Sequence, residues 1–173
     1  VGTLIEHARL WGGMKHKGQV RKYTGEPYFT HCEAVAERVA EFIDEYPEYF
    51  VNKDEVVAAA LLHDVVEDTD ATFEMVQDIC GENVVKYVYY LTKPPEFAGN
   101  RAQRKLLFNS KLALAPFEVK VIKFFDVMHN APSIEEHDKE FFKTWSEEAK
   151  RFLIAIDAHT VEDLFKYTYK GLL

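Results

Sequence analysis

The stretch that most constrains this chain is residues 58–68, AAALLHDVVED. Its first five residues are apolar and belong inside a protein, yet His63, Asp64, Glu67 and Asp68 then bring four ionisable groups into the same segment. Read as one buried helix turning about 100° per residue, the segment stacks His63 near Glu67 and Asp64 near Asp68, so that all four share one polar wedge. A charge taken out of water is expensive unless it is paired or coordinates a metal. Carboxylates in a last helical turn also face the negative end of the helix dipole, which a cation would offset. An acidic last turn reaching solvent would account for Glu67 and Asp68 alone. It does not account for His63-Asp64, which has apolar residues on both sides, and such a pair points to a metal.

The rest of the chain reads as helices around this segment. Residues 3–16 carry Leu4, Ala8, Leu10, Trp11 and Met14 at helical spacing, and Gly18 ends that helix. Residues 19–28 form a loop with a Thr24-Gly25 turn, and Pro27 opens a helix over about 28–45 that buries Cys32, Val35, Ala36, Val39, Phe42 and Ile43, with His31 in its first turn. Asn52 and Glu55 have capping-box spacing and start the central helix, while Thr72 caps a short helix ending at Gly81. Val84, Val85, Val88 and Leu91 mark another that stops before Pro94-Pro95.

Residues 97–114 are helical and basic at their start, with Arg101, Arg104 and Lys105. The next helix has Val119, Ile122 and Phe125 as its apolar stripe, and Asp126 and Asn130 sit four residues apart near its end, before Pro132. Residues 139–158 carry Phe141, Phe142, Trp145, Ala149, Phe152, Leu153 and Ile156 as one core face, and Thr160 caps a final short helix. No segment alternates as a half-buried strand would. The expected fold is all-α, a single helical bundle of about eight helices spanning residues 1–173.

Charge and composition narrow the function classes. A net charge of −8 and a pI near 5.4 argue against a general nucleic-acid binder or a membrane-surface protein, both of which need a broad basic face. Cys32 and Cys80 form neither a metal-spaced pair nor a disulfide framework and read as packing residues of a reducing compartment. No apolar run approaches the roughly 20 residues of a spanning helix. The expectation is a soluble, cytoplasmic protein, monomer or homodimer. For the site, His31, His63, Asp64 and Asp126 come from three helices. Two imidazoles and two carboxylates suit one borderline divalent ion such as manganese, iron, cobalt, nickel or zinc, with coordination positions left for a water and a substrate phosphate oxygen.

Longer strings carry a resemblance. RKYTGEPYFTH (21–31), AALLHDVVEDT (59–69), LTK (91–93) and FDVMHN (125–130) resemble the hydrolase domain of the RelA/SpoT homologue family, a branch of the HD-domain metal phosphohydrolases that degrades guanosine tetra- and pentaphosphate. The resemblance spans about residues 3–134 and weakens over 139–173. By position it implies His31, His63, Asp64 and Asp126 as metal ligands, with manganese the usual ion, and Glu67 and Asp68 as the acidic pair that orients the attacking water and handles its proton. It implies Arg21 packing on the guanine, Lys22 near the phosphates, Asn130 at the sugar and phosphate region, and, more loosely, Arg104 and Lys105 facing the phosphates. On spacing alone Arg104 and Lys105 read equally well as a solvated helix face.

The implied reaction is attack of water on the 3′-linked phosphorus, which releases pyrophosphate and leaves GDP or GTP. The chain departs from the family at Val127, where an arginine usually follows the aspartate, at Ala131-Pro132, at Cys32 and at Tyr23. With no room for synthetase and regulatory domains in 173 residues, it looks like a stand-alone small alarmone hydrolase. That group includes metazoan forms acting on the 2′-phosphate of NADPH, so another ribose-phosphorylated nucleotide is a competing substrate. A nucleotidase, a cyclic-dinucleotide phosphodiesterase and a non-catalytic nucleotide sensor also remain open. His7, His16, His129, His137 and His159 lack the adjacent pair that a second metal of the phosphodiesterase type would use.

Overall fold

A computed structural model describes residues 2–173. They form ten α-helical segments, α1 (Leu4–Lys15), α2 (Phe29–Glu45), α3 (Lys53–Leu61), α4 (Val65–Asp68), α5 (Phe73–Cys80), α6 (Glu82–Leu91), α7 (Arg101–Ala113), α8 (Phe117–His137), α9 (Lys139–Ala155) and α10 (Glu162–Phe165). Eight have eight residues or more, and α4 and α10 are single four-residue turns, so the all-α bundle of about eight helices is observed. Among the described residues the only extended pairing is one isolated bridge between Val20 and Pro27, and no helix is long and apolar enough to cross a membrane.

The bundle is built around α3. Val56, Val57, Ala58, Ala59, Ala60 and Leu61 are all buried, and a helix that is apolar on every side has to be enclosed. It is enclosed by α1, α2, α6 and α8. Asn52 caps it through the Glu55 amide, and Thr3 caps α1 in a reciprocal capping box with Glu6. Along α2 the buried set is the expected one, Cys32, Val35, Ala36, Val39, Phe42 and Ile43, together with His31. Phe42 then joins α2 to α8 and to the C-terminal segment, its ring 5.8 Å from Phe125 and 6.0 Å from Tyr167.

Several expectations need correction. The 58–68 segment is not one helix: α3 ends at Leu61 and α4 begins at Val65. The Leu62 amide reaches both Ala58 and Ala59 carbonyls, which tightens the turn, and His63 Nδ1 lies 2.7 Å from the Ala60 carbonyl that a continuing helix would offer to the Asp64 amide. His63 therefore caps α3 and does not stack over Glu67. Asp64 and Asp68 do remain one turn apart, because the Asp68 amide donates to the Asp64 carbonyl at 2.9 Å.

Pro132 does not stop α8, which runs on to His137. The missing proline N–H and the ring clash cost about 3 kcal/mol, and the burial of Ala131, Ile134 and seven more apolar residues of this helix offsets them. On α1, Leu10 and Met14 are 70% exposed. The helix packs instead through Ala8 and Gly12, where a Cβ at Gly12 would come within 2.8 Å of Phe29 and 3.0 Å of Leu62. The 97–114 segment starts its helix only at Arg101, since Gly99 has φ +139° and Asn100 supplies a capping box with Gln103. Thr160 does not cap α10, as its hydroxyl donates to the Asp157 carbonyl.

The C-terminal helices divide one expected face between two tasks. Ala149, Phe152, Leu153 and Ile156 are buried in the core, whereas Phe141 and Trp145 line an open cleft. Truncating Phe42 to alanine removes the ring on which α2, α8 and the C-terminal segment converge, and should lower the unfolding free energy by about 3–5 kcal/mol. Urea unfolding followed by circular dichroism measures this, and a loss below about 1 kcal/mol would show that the three elements are held together elsewhere.

Candidate active site

Four side chains from distant parts of the chain meet where α2, the α3–α4 break and α8 converge. His31 is in the first turn of α2, His63 and Asp64 lie in the break, and Asp126 is in the middle of α8. Donor atoms of all four lie within 4.8 Å of one another. His31 Nε2 is 2.8 Å from Asp126 Oδ1, and His63 Nε2 is 3.0 Å from Asp64 Oδ2 and 3.4 Å from Asp126 Oδ1. His31, His63 and Asp126 are buried, and the Asp64 side chain is 13% exposed.

The cluster fits a divalent cation. His63 Nδ1 faces a carbonyl that can only accept, so Nδ1 carries the proton and the Nε2 of a neutral ring presents a lone pair. That Nε2 is buried with no hydrogen-bond partner, although two carboxylates adjoin it. Electrostatics show that this neutral form needs another cation close by. Burial alone would push His63 toward the neutral form, but Asp64 and Asp126 outweigh burial and raise its pKa well above the usual value. Burial also opposes ionisation of Asp64 and Asp126. Even so, His63 beside Asp64, and Lys123 with His31 beside Asp126, hold both carboxyls below the usual range. The spot demands positive charge, which either an imidazolium or a metal ion can supply.

Each candidate ligand has a second partner that orients it. The Tyr28 hydroxyl donates to Asp64 Oδ2 at 2.5 Å, Lys123 Nζ donates to Asp126 Oδ2 at 2.6 Å, and Asn130 Nδ2 donates to Asp126 Oδ1 at 3.1 Å. His31 Nδ1 lies 2.7 Å from Nδ1 of His129. Burial, followed by His31 and Arg21, pulls His129 down to about 4, so this ring is neutral at physiological pH. Tyr28, Lys123 and His129 were not singled out from the sequence. Tyr28 stood inside GEPY, and Lys123 and His129 lie three residues before and after Asp126, a helical spacing that could have found them.

A cavity of about 200 Å³ opens beside the cluster, lined among others by Asp64, Glu67, Asp68, Asp126 and Asn130. Glu67 is held by the Lys93 amide at 2.9 Å, with Lys93 Nζ at 3.5 Å. The Asp68 carboxyl is raised to about 7, first by partial burial and then by the charges of Asp64 and Glu67. Lys93, Lys105 and Lys123 line the same cavity. Burial, with Lys123 and Lys93 nearby, lowers Lys105 to about 8.

The expected substrate residues are not all at this cavity. Asn130 and Lys105 line it, and Arg104 lines a larger neighbouring cleft of about 1100 Å³ that shares Lys93, Lys105 and Trp145. Arg21 reaches it through Asn130, whose Oδ1 accepts from Nη2 at 3.0 Å. Lys22 is exposed, with Nζ over the rings of Tyr23 at 5.2 Å and Phe141 at 5.9 Å. From α9, Glu148 pairs with Arg101 at 2.7 and 2.8 Å and lies 3.6 Å from Lys105. Nothing near α9 in the sequence marked Trp145 or Glu148 as cleft residues.

Several known proteins are similar to this chain. A guanosine-3′,5′-bis(diphosphate) 3′-pyrophosphohydrolase of Aquifex aeolicus is 32% identical over 177 residues, which cover 95% of this chain and 24% of that protein. The chain thus spans less than a quarter of that relative's length. The Drosophila melanogaster guanosine-3′,5′-bis(diphosphate) 3′-pyrophosphohydrolase MESH1 is 32% identical over 126 residues, 72% of this chain and 66% of its own. A solved structure of a metazoan orthologue of SpoT, described as hydrolysing ppGpp and acting in starvation responses, matches with a TM-score of 0.79 and 26% identity over 100% of this chain and 98% of that one. The HD domain family matches residues 8–152, well past residue 134, where the resemblance read from the sequence weakens, and through most of α9. With most of its length matched, and with the His63-Asp64 pair inside the matched region, this chain belongs to the HD domain family.

Proposed function

We propose that this protein hydrolyses the 3′-pyrophosphate of guanosine tetra- and pentaphosphate, with one divalent ion, manganese, held by His31, His63, Asp64 and Asp126. The observation that carries the reading is the unpartnered, buried Nε2 of His63 amid two carboxylates, at the edge of a cavity lined by both acidic residues and lysines. Likeness to relatives named for this activity supports it. The bound ion would acidify a water and draw electron density from a phosphoryl oxygen.

The protein's own residues supply the rest. Asp68, with its raised pKa and its position beside Asp64, takes the proton of the attacking water, and Glu67, held by Lys93, orients that water. Lys105 and Lys123 offset charge gathering on the phosphoryl oxygens, while Arg104 serves the more distant phosphates. Arg21 packs on the base, tethered to the site through Asn130. Lys22 attracts the polyanion at the rim. A ribose-phosphorylated nucleotide such as NADPH is the second reading, and what favours it is Val127, a buried apolar side chain in the cavity wall where the guanosine polyphosphate hydrolases usually carry arginine.

The deciding experiment is product analysis of metal-free protein given guanosine tetraphosphate with and without manganese. Manganese-dependent release of GDP and pyrophosphate is expected. Release of neither, from folded protein that binds manganese, would overturn the substrate assignment and move the test to NADPH. His31→Ala and Asp64→Ala should lose metal and turnover together, whereas Glu67→Gln should keep metal and lose kcat by roughly 100-fold or more. Full turnover in Glu67→Gln would remove Glu67 from the chemistry. Arg21→Ala should mainly raise KM, because base packing is present in ground and transition states alike.

Two pH effects follow from the charges. Protons and metal compete for the same imidazoles and carboxylates, so manganese affinity measured by titration calorimetry should fall as pH falls, with proton release on binding. Asp68 accepts a proton only when ionised, so kcat/KM should rise with pH along an acid limb centred at or below about 7, since a bound cation lowers the Asp68 value further. In Asp68→Asn that limb should disappear with most of the activity; a limb unchanged in the variant would assign it to another group.

A further inference from the structure

We propose that His129 is a positioning residue of the metal centre, whose Nδ1 accepts a hydrogen bond from His31 and thereby holds His31 in the tautomer that leaves Nε2 bare toward the cation. The inference rests on the reading of His31, His63, Asp64 and Asp126 as a divalent ion site.

His31 is used at both ring nitrogens. Its Nε2 points into the cluster, 2.8 Å from Asp126 Oδ1 and 3.9 Å from Asp64 Oδ2, and its Nδ1 points away, 2.7 Å from Nδ1 of His129. The two rings have centroids 4.9 Å apart and are tilted by 38°, so the contact joins nitrogen edges and is not a stack. Two ring nitrogens at this distance share one proton, and one of them must be the acceptor. A ligating Nε2 has no proton. A neutral His31 then carries its proton on Nδ1, and the bare nitrogen of the pair is His129 Nδ1.

The opposite tautomer has an equally definite partner. With the proton on Nε2, His31 donates to Asp126 Oδ1 and closes the cluster, and a cation must then displace a buried, charge-assisted hydrogen bond. With its own proton on Nε2, His129 accepts at Nδ1 and biases His31 against that closed arrangement. The other histidine ligand meets the same requirement differently: His63 Nδ1 faces the backbone carbonyl of Ala60, which no substitution removes. His31 depends on a side chain, and α8 delivers it three residues after Asp126, so one helix supplies both a ligand and the group that orients another.

The test is calorimetric titration of manganese into metal-free wild type, His129→Phe and His129→Asn, with thermal melting of the metal-free proteins alongside. Phenylalanine keeps a planar ring without an acceptor, and asparagine keeps an acceptor without the ring. The expected result is roughly 10- to 100-fold weaker binding in His129→Phe at an unchanged melting temperature, with His129→Asn recovering most of the affinity. Wild-type affinity in His129→Phe would overturn the proposal, as would equal weakening in both variants, which is what loss of packing predicts. Absence of divalent ion binding in folded wild type would overturn the metal reading and this proposal with it.

If His129→Phe does not fold, zinc-loaded wild type labelled with ¹⁵N gives an independent answer. Coupling between the two Nδ1 atoms with the proton on the His31 side supports the proposal, and a proton on the His129 side, or no coupling, overturns it.

Discussion

Everything in this structure depends on the demand for positive charge between Asp64 and Asp126. Two carboxylates that lie within 3.0 Å of imidazole nitrogens among apolar helices cannot be left uncompensated, because desolvation removes the water that would otherwise stabilise them. The compensation fixes geometry as well as charge. His63 turns toward the carboxylates, and its other nitrogen takes the Ala60 carbonyl and ends α3. The central helix is therefore broken at the point where the chemistry is placed. His31 and Asp126 tie α2 and α8 to that break, so the functional cluster is also the junction of the three helices.

A second division of charge organises the cleft. The protein as a whole is acidic, with a net charge of −8, yet Lys93, Lys105 and Lys123 line the same cavity as Glu67 and Asp68, with Lys93 Nζ 3.5 Å from Glu67 and Lys123 Nζ 2.6 Å from Asp126. An anionic substrate needs only this local field, since close, partly buried charges are screened far less than distant surface ones. α9 completes the arrangement from outside the region that carries the recognisable motifs. Its Glu148 clamps Arg101 and restrains Lys105, and its Trp145 forms part of both cavity and cleft. One helix thus anchors the core through Phe152 and Leu153 and lines the cavity through residues one or two turns earlier.

The local pattern of residues was enough to determine the all-α class, the buried stripe of α2 and the caps at Asn52 and Thr72, and to single out His31, His63, Asp64 and Asp126 as candidates, because helical periodicity, capping spacing and donor chemistry are legible from residue type and local spacing. Tertiary structure decided what depends on distant partners. Leu10 and Met14 fit a helical stripe but stay exposed, because Gly12 lets α1 approach through a different face. Pro132 should end a helix by local rules, and burial on both sides of it keeps α8 intact. The break after Leu61, the contact of His129 with His31 across 98 positions, and the role of Trp145 and Glu148 in the cleft depend on packing between helices, which no local spacing encodes.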